Sequence, residues 1–248
     1  MKTILITGCS SGFGLDTARY FLERDWKVVA SMRTQREDVL PRSECLRVLA
    51  LDVTDPESIR RAVEAAGPID VLVNNAGIGW LNALEGTSMD TARGIFETNT
   101  IGTMAVTQAV LPQFRQRKDG VVVNVSSSVT LKSLPLLSVY TASKAAVNAF
   151  TECLALELQA FNVRVRLVLP GRAPETRFGE NARSRMQGGF PEAYAGLAQS
   201  ILAAWQTEPS AVTRSLDVAE AVWRAANDPS CPLRVAAGAD AVALAAAS

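Results

Sequence analysis

The sequence predicts a doubly wound α/β domain: a mostly parallel sheet of seven strands with helices on both faces. Three observations carry this prediction. Short runs of β-branched and other apolar residues alternate with longer helical patterns along almost the whole chain. Several strand candidates are apolar at consecutive rather than alternate positions, the mark of parallel strands covered on both faces. Strand–helix alternation with right-handed crossovers then winds into a two-sided sheet, and 248 residues suit one such unit.

The elements follow in order. Thr3–Ile6, Lys27–Ala30, Leu46–Leu49, Ile69–Val73, Val121–Val125 and Val163–Val168 read as strands, with a weaker seventh at Leu233–Val235. Phe13–Arg24 carries Phe13, Thr17, Tyr20 and Phe21 near helical spacing, and Pro56–Ala66 opens on a proline suited to a first helical position. Asp90–Arg117 and Ser138–Gln159 are the long helical segments. No linker, repeat or low-complexity stretch divides the chain, so 1–248 reads as a single domain. Only Gly171–Pro191 departs from the pattern. Its four glycines and mixed charges read as a loop at the carboxyl end of the sixth strand, the start of a substrate loop over about 171–210. Ligands of open α/β sheets bind on that side, and long loops there tend to be lids.

Composition excludes several kinds of function. Basic and acidic side chains balance at 25 each, which argues against nucleic-acid or anionic-membrane binding. No apolar stretch approaches the ~20 residues of a membrane span. The N-terminus runs directly into a strand with no signal-peptide core. Cys9, Cys45, Cys153 and Cys231 are scattered with no C-x-x-C pair, as reduced thiols of a cytoplasmic protein would be. The chain contains no histidine. That removes Ser-His-Asp and Cys-His nucleophiles and histidine-bearing zinc sites, so no metal is expected and any proton transfer must use Tyr, Lys, Asp, Glu or Cys.

The first strand runs into Thr7-Gly8-Cys9-Ser10-Ser11-Gly12-Phe13-Gly14 and then a helix. Gly8 allows the turn out of the strand, Gly12 lets backbone approach a diphosphate, and Gly14 permits close packing of helix on sheet. The helix behind offers unpaired N–H groups and a positive dipole end. A glycine-rich turn in an ordinary βα unit is the plain alternative; placement directly after the first strand favours a dinucleotide.

The spacing T-G-x-x-x-G-x-G resembles that of the short-chain dehydrogenase/reductase family, and further motifs follow in the family's order. Asp52-Val53 ends the third strand, Asn74-Asn75-Ala76-Gly77 the fourth and Pro170-Gly171 the sixth; Asn99 lies on the next helix, and Ser127, Tyr140 and Lys144 keep the family's spacing. The resemblance covers nearly the whole chain. It implies a Rossmann-like fold binding a nicotinamide dinucleotide through Gly8, Ser10, Ser11, Gly12, Phe13, Gly14, Asp52, Val53, Asn75, Ala76, Gly77, Tyr140, Lys144, Pro170 and Gly171. Thr176 is its match for the residue that holds the carboxamide, since Pro170–Thr176 runs one residue longer than in the family.

Cofactor choice falls to the end of the second strand. An acidic residue there bonds the ribose of NAD and repels a 2′-phosphate; here Met32 stands in that place. Arg33 beside it offers a bidentate fork to a phosphate, or is a solvated surface charge. Ser11 stands where many NADP-dependent members carry a basic residue. NADP(H) is expected over NAD(H).

Tyr140 and Lys144 are four apart and share a helix face. A phenol titrates near 10, and an ammonium at about 4 Å favours the phenolate by up to roughly 4 kcal/mol before desolvation. The resemblance makes Tyr140 the acid/base for hydride transfer, Ser127 the residue that polarises the substrate oxygen, Lys144 a ligand of the nicotinamide ribose, and Asn99 the holder of a relay water. It also places Trp80, Val129, Leu134 and Leu137 at the pocket, where Trp80 equally suits packing. An apolar ketone, aldehyde or secondary alcohol is the expected small-molecule partner. A 3-oxoacyl-carrier-protein reductase, docked through Arg172, Arg177, Arg183 and Arg185, and a non-catalytic NADP(H) sensor are the alternatives. The family's pairing through its long helices implies a homodimer or homotetramer.

Overall fold

The structure is a computed structural model and describes residues 1–36, 38–186, 188–207 and 211–247; residues 187 and 208–210 of the expected substrate loop, and 37 and 248 of the expected domain, lie outside the described residues. Among the described residues seven strands form one all-parallel sheet in the order β3-β2-β1-β4-β5-β6-β7. They are β1 (Thr3–Ile6), β2 (Lys27–Met32), β3 (Leu46–Ala50), β4 (Val71–Asn74), β5 (Gly120–Val125), β6 (Val163–Pro170) and β7 (Arg234–Ala237). The order reverses between β1 and β4. There the first strand's exit loop and the turn after β4 lie side by side, the crevice in which such sheets bind ligands.

Helices cover both faces. On one, α1 (Gly12–Leu22) and α8 (Ser215–Asn227) bury Phe21, Val218 and Val222 against β1, β2 and β4 to β6. On the other, α2 (Pro56–Ala66), α4 (Gly102–Arg117) and α5 (Ser138–Glu157) close over Leu5, Leu72, Val122 and Val165, with Phe114 fully buried. A ring so buried contributes roughly 2–3 kcal/mol. Asp55 caps α2 by accepting the Glu57 N–H at 2.9 Å, which is why that helix begins at its proline.

The long helix expected over Asp90–Arg117 is interrupted. It consists of α3 (Met89–Phe96), a π-helical turn at Glu97–Ile101, and α4. Such single π turns inside helices often mark functional positions, and this one carries Asn99. The segment 171–210 is also not a plain loop. It holds α6 (Phe178–Ser184) and α7 (Ala195–Thr207). The root of this segment is tied to residues ahead of α8 and just after β7: the Gly171 N–H donates to Thr213 Oγ1 at 2.9 Å and the Arg172 N–H to Asp240 Oδ2 at 2.6 Å.

A buried polar ladder joins the helices that carry the candidate site. Asn74 Nδ2 donates to Thr107 Oγ1 on α4 and to Asn124 Oδ1 on β5, both at 2.8 Å, and Asn124 Nδ2 donates to Thr151 Oγ1 on α5 at 2.9 Å. Replacing Asn124 with leucine strands two of these partners in a water-free interior, at a cost of roughly 2–3 kcal/mol. Urea unfolding should show that loss as a lower midpoint with an unchanged slope.

Candidate active site

The glycine loop is held by its neighbours. Thr7 Oγ1 accepts the N–H groups of Asn75 and Ala76, each at 3.0 Å, and Asn75 Nδ2 donates back to Thr7 O at 2.9 Å. The loop therefore lies directly on the turn after β4. Gly8 has φ +77, and a Cβ there would stand 2.8 Å from Ala76 Cα, so this crossing admits only glycine. On the other side the Cys9 N–H donates to Ser31 O of β2 at 2.8 Å, which brings Arg33 near the loop.

The N-terminus of α1 is not capped by its own sequence. Ser11, in extended conformation, makes no side-chain cap bond, and no acidic residue lies in the first turn. Beside this helix start lies a cleft of about 350 Å³ lined by Ser11, Gly12, Leu15, Thr176, Arg177 and Ser215, with the carboxylates of Asp16 and Glu175 also on its wall. Uncapped donors and a positive dipole end suit a diphosphate. Thr176 lies over this loop, its Cβ 3.5 Å from where a Cβ on Gly12 would be. Ser10 is exposed, whereas Phe13 turns inward against the core.

At the adenine end Met32 is buried and Arg33 exposed. Asp52 accepts the Thr54 N–H at 2.9 Å, and this bond, aided by the Thr54 hydroxyl and Arg33, keeps its carboxyl below the ordinary range. Val53 is buried beneath Gly102 at the start of α4. Arg185, following α6, is pushed down by partial burial and by the positive charge of Arg33. The two guanidinium groups are near enough to repel each other, a local concentration of positive charge in a chain of zero net charge.

Toward the middle of the sheet the candidate catalytic residues converge. Ser127 follows β5; Tyr140 and Lys144 lie one turn apart on α5, both buried. Two of the three adjacent serines have separate tasks. Ser126 Oγ is spent on Asn148 Oδ1, 2.6 Å away on α5, whereas Ser127 makes a side-chain hydrogen bond with Tyr140. Lys144 Nζ donates to Val125 O at 3.0 Å, leaving two of its three N–H groups for other partners. A Cβ on Gly77 would lie 3.2 Å from Asn99 Oδ1 and 3.4 Å from Lys144 Nζ, so the turn after β4, the π turn and α5 meet here.

One expectation changes. Burial pushes the Tyr140 phenol up to about 12, opposed by the Ser127 hydrogen bond. Burial likewise lowers the Lys144 ammonium to about 8. Within the protein alone, desolvation outweighs the attraction that the i,i+4 spacing suggested. Asn99 is fully buried. Its Oδ1 accepts the Ile78 N–H at 2.8 Å, and its Nδ2 donates to Ile78 O at 3.0 Å and to Ser143 Oγ at 3.1 Å. Both amide hydrogens are engaged in pinning the turn after Gly77 to α5.

The pocket wall is apolar. Val129 and Leu137 pack in one cluster with Tyr140, as does Trp80, which is buried with its Nε1 donating to Thr87 Oγ1 at 2.8 Å. Leu134 is half-buried outside that cluster. Phe178 and Met186, not anticipated, stand here as well: the Phe178 ring lies 5.8 Å from that of Tyr140, and Met186 joins the cluster. The one signal for α6 was Phe178 and Ala182, apolar and four apart amid polar neighbours. The arginines at the mouth are largely engaged, Arg172 Nη1 with Trp205 O at 2.7 Å, Arg177 with Glu180 at 3.5 Å and Arg185 with Asn181 O at 2.7 Å; Arg183 is exposed. Among the described residues no cluster of three potential metal ligands occurs and no helix is long and apolar enough to cross a membrane.

Comparison with known proteins agrees with this layout. The model of the short chain dehydrogenase family matches residues 2–187. Retinol dehydrogenase 8 of Bos taurus is 39% identical over 184 residues, covering 68% of this chain but only 58% of its own length. 3-Ketodihydrosphingosine reductase of Bacteroides thetaiotaomicron is 38% identical over 198 residues, 78% of this chain and 72% of that one. Among solved structures, a short-chain dehydrogenase from Streptomyces avermitilis superimposes with TM-score 0.82 at 32% identity, over 99% of this chain and 91% of the other. A serine dehydrogenase complexed with NADP+ gives 0.80 at 27% identity, over 95% and 94% of the two chains. A 3-ketoacyl-(acyl-carrier-protein) reductase from Brucella melitensis complexed with NADH gives 0.79, also at 27%, over 95% and 96%. A parallel seven-stranded sheet, a glycine loop beneath an uncapped helix and a family match over three quarters of the sequence lead to one conclusion: this chain belongs to the short-chain dehydrogenase family of oxidoreductases.

Proposed function

We propose that the protein transfers a hydride between NADP(H) and an apolar ketone, aldehyde or secondary alcohol, with Tyr140 as general acid/base. The observation that carries this is the convergence of Ser127, Tyr140 and Lys144 beside the turn that supports the glycine loop. A bound nicotinamide supplies the hydride in reduction and takes it up in oxidation. The residues of this chain do the rest. Ser127 donates a hydrogen bond to the substrate oxygen. Tyr140 Oη gives that oxygen its proton during reduction and takes it back during oxidation. Lys144 keeps two N–H groups for the cofactor ribose and, protonated, favours the phenolate that Tyr140 becomes. Asn99 holds the Gly77–Ile78 turn in place.

The apolar substrate follows from the wall of Val129, Leu137, Phe178 and Met186, which offers no charge to a polar carbonyl compound. The names of two relatives agree with a largely hydrocarbon substrate, since retinol carries its alcohol on a hydrocarbon skeleton and 3-ketodihydrosphingosine its ketone on a long alkyl chain. NADP(H) is favoured over NAD(H) by the exposed Arg33, reinforced by Arg185 and with no carboxylate at position 32. A charge-assisted bond to the 2′-phosphate is worth about 1.5–3 kcal/mol. Arg33→Ala should therefore lower the NADPH-over-NADH ratio of kcat/KM by roughly ten- to a hundredfold. A parent enzyme that prefers NADH would overturn the cofactor assignment. Assembly as a homodimer or homotetramer belongs to the same reading; a monomer mass at micromolar concentration would remove it.

A further inference from the structure

The seven-residue helix α6 lays one face on the active site. Its apolar residues, Phe178 and Ala182, are one turn apart and both rest on Gly79. A Cβ at position 79 would stand 2.7 and 2.9 Å from Phe178 Cε1 and Cζ and 3.1 Å from Ala182 Cβ. The Phe178 ring also meets the ring of Tyr140, with centroids 5.8 Å apart and planes inclined at 56°. A phenylalanine with two such neighbours belongs in a core, yet Phe178 keeps 41% of its surface exposed while Tyr140 beneath it keeps 7%. The uncovered part of the ring is apolar surface at the rim of the acid/base, where a substrate must pass.

Gly79 itself is buried and has no left-handed backbone conformation. An alanine there is unstrained in itself, and the nearest atoms its methyl group meets are the Phe178 ring and the Ala182 Cβ of α6. Those atoms sit on a short helix whose remaining residues are largely polar and exposed. The added methyl group is therefore accommodated by displacing α6, not by unfolding β4 or α5.

We propose that Phe178 sets the width of the substrate slot beside Tyr140, and that Gly79 is the seat into which its ring closes. This rests on the hydride-transfer reading. With the ring seated, narrow carbonyl compounds are held against Ser127 and Tyr140 and water is kept from the phenol. With the ring removed or displaced, the slot widens, bulky ketones gain access, and narrow ones lose the surface that positions them.

The test is a double-mutant cycle of parent, Gly79→Ala, Phe178→Ala and the double variant, read in two ways. The first readout is the ratio of kcat/KM for a bulky aryl ketone to that for a small aliphatic one, with NADPH. The second needs no turnover: the rate of Tyr140 nitration by tetranitromethane, followed by peptide mass spectrometry with Tyr20 as internal reference. Phe178→Ala should move the selectivity ratio toward the bulky ketone by about tenfold and speed nitration several-fold. Gly79→Ala should act in the same direction in the parent and change either readout by less than twofold once Phe178 is gone. Equal effects of Gly79→Ala in both backgrounds, or no change in either readout, would overturn the proposal. Additive effects in an enzyme whose turnover still depends on Tyr140 would overturn it alone. A coupled nitration cycle in a protein that reduces no carbonyl compound would leave the contact standing but overturn the hydride-transfer reading and, with it, the slot.

Discussion

Tyr140→Phe should lower kcat/KM for carbonyl reduction by roughly 10²- to 10⁴-fold while leaving the dissociation constant for NADPH within about twofold of the parent. The substitution removes one oxygen from a ring that is 7% exposed, so little packing changes. What disappears is the proton that the substrate oxygen must receive. Ser127 retains its hydroxyl and polarises the carbonyl, but it has no base behind it: its own contacts are the Val129 N–H at 3.4 Å and Tyr140 itself. A stopped-flow measurement of NADPH oxidation, beside a fluorescence titration of cofactor binding, separates the two effects. Weakened binding with kcat unchanged would mean that Tyr140 is only a wall of the site.

Lys144→Met should be comparably damaging to turnover, by about 10²-fold or more, and yet cost no stability at neutral pH. The reason is desolvation. Lys144 is 5% exposed, and burial brings it down to about 8 from 10.5. Holding it protonated therefore costs on the order of 3 kcal/mol. Methionine removes that cost and gives back part of the gain by leaving Val125 O without its partner, about 1–3 kcal/mol. The sign with pH follows from proton binding. Between about 8 and 10.5 the unfolded chain holds a proton at Lys144 that the native one does not, so parent stability rises with pH across that window. The variant's relative advantage is complete below pH 8 and vanishes above 10.5. Tyr140 acts oppositely: raised from 10 to about 12, it makes the parent lose stability as pH climbs through that range. Thermal melts of both proteins from pH 7 to 10 would show the two melting temperatures converging or crossing. A constant gap would mean that Lys144 is not desolvated.

The same shifts have a kinetic counterpart. Within the protein alone the Tyr140–Lys144 pair loses its first proton near 8, from Lys144. Reduction needs the Tyr140 proton and oxidation needs the phenolate, so the two directions should show opposite pH slopes.

Much of this design was legible in the sequence, for identifiable reasons. Consecutive apolar residues such as Val121–Val123 are read easily because a parallel strand covered on both faces needs nothing else, and Pro56 marks the start of α2 because a proline without an N–H costs nothing there. Order and spacing singled out Ser127, Tyr140 and Lys144, since a helix turn converts a four-residue interval into a shared face. The rest depended on contacts between distant segments. The π turn at Glu97–Ile101 has no pattern of its own; it accompanies Thr100 and Thr103, whose hydroxyls bond Ser143 O and Asn99 O, each at 2.9 Å. The Asn74–Asn124 ladder is two unremarked strand residues until β4 and β5 pair them. Leu136 adopts φ +63 although nothing in its side chain favours it; its burial against Leu81 and α7 holds it there. The lowered affinity of Lys144 for its proton was also hidden, because the spacing shows the neighbour and not the loss of water.

The most direct test of hydride transfer is the fate of deuterium. Incubated with [4,4-²H₂]NADPH and a hydrophobic ketone, the protein should yield an alcohol one mass unit heavier at the carbinol carbon, and Tyr140→Phe should yield almost none. An alcohol formed without deuterium, or no reduction across aldehydes, aliphatic and aryl ketones, steroids and acetoacetyl thioesters, would contradict it.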